Sequence, residues 1–170
     1  MAVDIVLAEF DMCMDIASVK RQVWESSYRG IYPDCKFDDF SFEKESAKFA
    51  QLIESADTHL YVAQVDGKIV GYMAIGKNPR HPNSPTDEIV LLSVLKDYQG
   101  KGIGTTFFNM AKEMLKNPTI DHFAVYCNKY NLPAQAFYEK MGCQVVATDP
   151  DHPDKSIPQI KYLYLYRKQN

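Results

Sequence analysis

Apolar positions along the chain fall into two alternating rhythms. Residues 3–8 form a short apolar run that predicts a strand. From about residue 14 to 28, Ile16, Val19, Val23, Trp24 and Tyr28 recur at helical spacing, and the Gly and Pro of Arg29-Gly30-Ile31-Tyr32-Pro33-Asp34 end that helix. A second helix is predicted from Ser41, which suits an N-cap, with Glu43 and Glu45 in the first turn. Phe42, Phe49, Ala50 and Ile53 share one of its faces. Residues 59–65 and 69–75 flank Asp66-Gly67 and predict a hairpin. Residues 77–87, Pro-containing and carrying His81, read as an exposed connection.

Residues 88–95 (EIVLLSVL) are apolar almost throughout after Glu88, as expected of a central strand covered on both faces. A glycine-rich segment follows, then a helix with Ile103, Phe107, Met110 and Met114 on one stripe. Residues 123–127 predict a strand. Pro133 suits the first turn of a helix carrying Ala134, Phe137 and Met141, and Gly142 suits its end. Residues 143–147 and 160–166 predict the last two strands, joined by an acidic, Pro-rich loop. The order β-α-α-β-β-β-α-β-α-β-β predicts a mixed α/β fold with a largely antiparallel central sheet flanked by helices, and not a Rossmann alternation. No repeat or linker divides the chain, so one domain over residues 1–170 is expected.

Composition narrows the classes of partner. The net charge of -3 lacks the basic surface that nucleic acid requires. Cys13, Cys35, Cys127 and Cys143 are scattered, without a CxxC pair or His at ligand spacing, so no metal is expected and the thiols read as reduced. Neither a basic leader nor a long apolar stretch opens the sequence, and a cytoplasmic protein without membrane insertion is expected.

The segment Tyr98-Gln99-Gly100-Lys101-Gly102-Ile103-Gly104-Thr105 turns the chain from strand to helix. Glycines there let backbone N–H groups face a phosphate, helped by the positive end of the helix. Nothing matches GxxxxGK[ST], and Gly100, Gly102 and Gly104 have the wrong spacing for a dinucleotide fingerprint. What remains is Gln-x-x-Gly-x-Gly between strand and helix. In it, missing Cβ atoms at Gly102 and Gly104 admit a pyrophosphate and Lys101 neutralises a further oxygen; a plain Gly-rich turn is the other reading.

Together with a second motif, these residues resemble the GCN5-related N-acetyltransferase (GNAT) superfamily. Gln99, Gly102 and Gly104 match its [Q/R]-x-x-G-x-[G/A] motif, and residues 131–142 (NLPAQAFYEKMG) match N-x-x-A-x-x-F-Y-x-x-x-G-F, with Cys143 in place of the final Phe. The resemblance implies the GNAT acyl-CoA N-acyltransferase fold, with acetyl-CoA as co-substrate. It implies pantetheine pairing with the backbone of Ser93, Val94 and Leu95. The pyrophosphate would lie on the amides of Gln99, Gly100, Lys101, Gly102, Ile103, Gly104 and Thr105, and the cofactor arm against Asn131, Ala134 and Phe137. Tyr138 resembles the general acid that protonates the departing thiolate, a role a neutral phenol suits; a core aromatic is the alternative.

Glu88, by its spacing to Gln99, resembles the catalytic Glu of the histone-acetylating branch; a solvated strand-end carboxylate is the alternative, and His81 and His122 are weaker candidates for the base. On the acceptor side the resemblance points to Trp24, Tyr28 and Tyr32 and to the loop carrying Asp149, Asp151, His152 and Asp154. Aromatic faces and carboxylates suit a cationic amine, and packing plus a solvated loop is the alternative. The expected activity is acetyl transfer to a primary amine of a small molecule by direct attack. Peptide or protein acetylation and a non-catalytic acyl-CoA sensor are the alternatives. A homodimer is a further expectation, with Tyr162, Tyr164 and Tyr166 either at its interface or packed within the monomer.

Overall fold

The computed structural model describes residues 1–148 and 157–166. The acidic loop residues Asp149, Asp151, His152 and Asp154 lie outside them. Strands β1 (Asp4–Leu7), β2 (Thr58–Val65), β3 (Lys68–Gly76), β4 (Glu88–Val94), β5 (His122–Asn128), β6 (Gln144–Thr148) and β7 (Gln159–Leu165) form a seven-stranded sheet in the order β1-β2-β3-β4-β5-β7-β6. Every neighbouring pair is antiparallel except β4 with β5, which run parallel. The near-continuous apolar run of β4 therefore lies at the centre of the sheet, as its sequence predicts.

Alternation along the hairpin sorts side chains onto two faces. Ala63, Val65, Met73 and Ile75 face one core, and Leu60, Val62, Tyr72 and Ala74 face the other. Helix α1 (Cys13–Tyr28), the single-turn α2 (Cys35–Asp38) and α3 (Phe42–Glu54) follow β1 in the chain. Ile16, Ala17 and Val19 of α1 and Phe49 of α3 close the second face. Ser41 caps α3 by accepting from the Lys44 N–H at 3.2 Å. Helices α4 (Ile103–Met114) and α5 (Leu132–Lys140) cover the first face through Phe107, Phe108, Ala111 and Tyr138.

Three expectations are corrected, and one open choice, the placing of the β7 tyrosines, is decided. The turn α2 was not anticipated, because four residues carry too little periodicity to register. The buried stripe of α4 runs through Phe108 and Ala111, and Met114 is exposed. The 77–87 connection is not wholly exposed, since Asn78 and Thr86 are buried. Finally, β7 is an interior strand, so its tyrosines pack within the chain. Tyr162 is fully buried, Tyr164 stacks on Phe123 at 5.2 Å, and the Tyr166 hydroxyl donates to the Lys112 carbonyl at 2.7 Å. The edge strands are β1 and β6.

The core beneath α4 and α5 also holds ionisable groups kept neutral by burial. Burial pushes the Cys127 and Cys143 thiols from 9.0 up to about 12, and Tyr162 from 10.0 to about 12. Such groups ionise in the unfolded chain before they ionise in the folded one, so unfolding releases protons between about pH 9 and 12. The apparent melting temperature is expected to be flat from pH 7 to 8 and to fall steadily above pH 9. Replacing Cys143 by Ser should make that fall shallower in a pH series of melting curves.

Candidate active site

Strands β4 and β5 pair at only two positions, Glu88 with Ala124 and Ile89 with Val125, and then diverge. A β-bulge accounts for the departure. Ala74 of β3 faces Leu91 and Ile75 faces Ile89, which leaves Val90 as the extra residue. A bulge bends its strand and increases local twist. Val90 and Leu91 consequently both pack toward the α1 face, while Ile89 and Leu92 pack toward α4. The result is a wedge in the middle of the sheet, open at the C-terminal ends of both strands.

The bulge also decides which backbone groups line the wedge. The Leu95 N–H donates to the Val70 carbonyl at 2.9 Å, so Leu95 and, by alternation, Ser93 present their backbone to β3. Val94 and Leu92 present theirs to the wedge. Ser93 instead spends its side chain on the Tyr72 hydroxyl. Of the three predicted residues, Val94 turns its backbone to the wedge and Ser93 and Leu95 turn theirs to β3; Leu92 joins Val94 at the wedge, a placement that sequence periodicity does not reveal because of the bulge.

At the open end, the Gln99 side chain donates to the Val94 carbonyl at 2.9 Å and ties the glycine segment to the strand. The Gln99 N–H is itself taken by the Lys96 carbonyl, which narrows the predicted amide cradle to residues 100–105. Gly102 is the N-cap of α4 at φ 88°, a conformation that favours glycine, and no side chain caps the helix. The amides of Ile103, Gly104 and Thr105 therefore lack intrahelical partners, and no acidic residue occupies the first turn. Lys101 lies beside this end with its ammonium 5.2 Å from the Tyr98 ring centre. These groups fit an anion held by backbone N–H and helix dipole. A Cβ at Gly104 would meet the Phe137 ring at 3.4 Å, an ordinary van der Waals contact, so this position lies directly against α5. A cleft of about 170 Å³ between α1 and this turn is lined by Gln22, Ser26, Leu95, Lys96, Asp97 and Tyr98.

On the α5 side, Tyr138 is buried among Phe108, Phe137 and Tyr162. Its hydroxyl has no hydrogen-bond partner among the described residues, an unusual state for a buried polar group. Burial raises its pKa well above the ordinary 10.0, with Cys127, Cys143 and Tyr28 adding to the effect, so the phenol stays protonated. Asn131 caps α5 by accepting from the Ala134 N–H at 3.1 Å, and its amide donates to the Tyr28 hydroxyl at 3.2 Å. Ala134 and Phe137 pack against the same core.

On the α1 side, Trp24, Tyr28, Tyr32 and Phe37 form one aromatic cluster, with Trp24 and Tyr28 ring centres 4.9 Å apart. Arg29 braces it, stacking over Phe37 at 4.3 Å and pairing with Asp34 at 2.9 Å. The Tyr32 hydroxyl accepts from Asn128 at 2.7 Å, and burial raises Tyr28 to about 12. Tyr28 and Tyr32 are thus largely committed to packing, and Trp24 keeps a partly exposed surface.

At the closed end of the wedge, Glu88 is fully buried, which overturns the solvated alternative. One carboxylate oxygen accepts from Asn78 at 2.7 Å and the other lies 2.9 Å from the His81 Nδ1. Nothing in the spacing of the Pro-rich loop had singled out Asn78.

Residues 21–143 match the model of the acetyltransferase (GNAT) family. The chain belongs to that family. Its GNAT fold aligns with the crystal structure of the PaiA N-acetyltransferase from Thermoplasma acidophilum in complex with coenzyme A, at a TM-score of 0.77 and 21% identity over 98% of this chain and all of the other. Spermidine N(1)-acetyltransferase from the same organism is 24% identical over 154 residues, 88% of this chain and 92% of that protein. Mycothiol acetyltransferase from Saccharomonospora viridis is 29% identical over 98 residues, 55% of this chain, and the match spans 32% of that protein's length. Among the described residues no cluster of His, Cys, Asp or Glu is placed to hold a metal ion, and no helix is long and apolar enough to cross a membrane.

The two-ended engagement of Asn131 is testable in this GNAT chain. Asn131→Ala is expected to cost about 1–2 kcal/mol in chemical denaturation. Asn131→Ser keeps a capping oxygen but does not reach Tyr28, and less than half that loss is expected. Equal losses would assign the contribution to the Tyr28 bond and not to the cap.

Proposed function

We propose that this protein transfers the acetyl group of acetyl-CoA to a primary amine of a small molecule, by direct attack, in the cytoplasm. The observation that carries the reading is the wedge between β4 and β5, where two pairs of parallel register give way to unpaired backbone beside an uncapped helix. The amides of residues 100–105 and Lys101 would hold the pyrophosphate, and the backbone of Leu92 and Val94 would pair with the pantetheine amides. Family membership and the coenzyme A in the Thermoplasma structure support the donor. The spermidine enzyme, matched over most of both chains, supports a small amine as acceptor.

Tyr138 has the chemistry to donate a proton to the leaving sulfur. A phenol with a raised pKa is a poor acid toward an ordinary thiolate in water. Here the same burial lifts the neighbouring thiols of Cys127 and Cys143 to about 12, so a coenzyme thiolate released beside them would be raised as well. Donor and acceptor are thereby brought closer in proton affinity. Attack by a free amine needs no enzyme nucleophile, and the buried thiols need take no part.

Free coenzyme A should appear when the protein is incubated with acetyl-CoA and a panel of polyamines, aminoglycosides and amino acids. Release only with peptides would point to a protein acceptor. Binding in calorimetry without any turnover would point to a sensor. Tyr138→Phe is expected to lower kcat about 10- to 100-fold while the acetyl-CoA Kd stays within about twofold; an unchanged kcat removes Tyr138 from this role. Because its pKa is raised, ionisation of Tyr138 should add no alkaline limb to the kcat profile below pH 10.

A further inference from the structure

The carboxylate predicted as the base is not the group an acceptor amine can reach. The Glu88 side chain is 1% exposed, whereas that of His81, its partner, is 15% exposed. Glu88 sits in the first of the two paired registers of β4 and β5, on the side of the sheet opposite Ile89 and hence facing α1. His81 lies on the same side, its ring 4.4 Å from that of Tyr126, the first residue of β5 beyond the paired positions. The imidazole therefore stands where the wedge begins.

The hydrogen bonds around Glu88 favour one tautomer of His81. The Asn78 carbonyl oxygen accepts from the Arg80 N–H at 3.0 Å, which directs the Asn78 NH₂ toward Glu88. A carboxylate offers only acceptors, so the His81 Nδ1, at 2.9 and 3.1 Å from the two oxygens of Glu88, is satisfied there as a donor. The 3.2 Å approach of Asn78 Nδ2 to Nδ1 is then a contact between two donors that share Glu88, not a hydrogen bond. Neutral imidazole has one proton, so Nε2 is left with a lone pair.

We propose that His81 is the general base of the reaction and that Glu88 is its positioning residue. This rests on the amine-acetyltransferase reading above. The step balances simply. His81 Nε2 takes one proton from the acceptor ammonium, and the resulting amine attacks the thioester carbonyl carbon. The C–N bond forms as the C–S bond breaks, the sulfur takes a proton from Tyr138, the attacking nitrogen sheds its second proton through water to the phenolate, and the imidazolium gives its proton to water. One proton is released per amide formed. Glu88 stabilises the imidazolium through Nδ1–H without changing protonation itself.

Among the described residues, the groups facing His81 from other elements are Glu88 of β4 and Tyr126 of β5, whose ring lies under Lys161 of β7 at 5.6 Å. On its own loop stand Arg80 and the Lys77–Asp87 ion pair.

The experiment uses the best amine from the coenzyme A release screen. His81→Asn places an amide near the position of Nδ1, keeping a donor for Glu88, and removes Nε2. Its kcat/KM for the amine is expected to fall about a hundredfold at pH 7 with acetyl-CoA affinity unchanged. The deficit should shrink as pH rises and solution supplies the free amine. Glu88→Gln should show a smaller loss of the same pH dependence. A His81→Asn variant with wild-type kcat/KM, or with a loss that does not change with pH, overturns the proposal while leaving acetyl transfer intact. If the wild type turns over no amine, the broader reading fails instead. Imidazole ¹⁵N shifts of the wild type test the proposal without any variant. Protonated Nδ1 with bare Nε2 is expected, and the opposite tautomer rules His81 out as base.

Discussion

The arrangement of this protein depends on a sheet that stops pairing in its own middle. Backbone N–H and C=O groups deprived of a ladder must find water or a ligand, because leaving them dry costs about 1–3 kcal/mol each. The fold confines that cost to one seam. On one side β4 keeps its antiparallel ladder with β3, and on the other β5 pairs along its whole length with β7. The single extra residue at Val90 steers β4 away from β5 and leaves both flanking ladders in place.

The two faces of the seam differ in electrical character. Toward α4 and α5 the surroundings are aromatic and dry, so phenol and thiols are held neutral. Toward α1 lie the polar groups: Glu88 with Asn78 and His81, and the asparagines bonded to Tyr28 and Tyr32. Proton donation to sulfur and proton removal from an amine make opposite demands on their surroundings. A seam with one dry face and one hydrogen-bonded face meets both.

Much of this was legible in the sequence wherever the relevant signal is local. The hairpin, the central β4, the Ser41 cap and the strand-turn-helix at Gly102 all rest on spacings of a few residues, and the structure agrees with them. What escaped depends on phase or on distant partners. A bulge shifts the alternation, so Leu92 and not Leu95 turns its backbone to the wedge. The Pro-rich loop has no periodicity from which the burial of Asn78 could be read. The contact between Gly104 and Phe137 was equally illegible, because Phe137 lies a strand and a loop away in sequence.

Two hydrogen bonds cross from the α1 side to the β5–α5 side: Asn131 to Tyr28 and Asn128 to Tyr32, spanning 103 and 96 residues of sequence. Contacts of such separation carry a large loop-closure entropy and tend to form late, after local helices and hairpins. The aromatic cluster and the α5 cap are thus coupled through bonds that neither half of the chain can make alone. Secondary structure and a competent site are separate milestones on the folding path of this chain, and a nascent polypeptide could acquire the first well before the second.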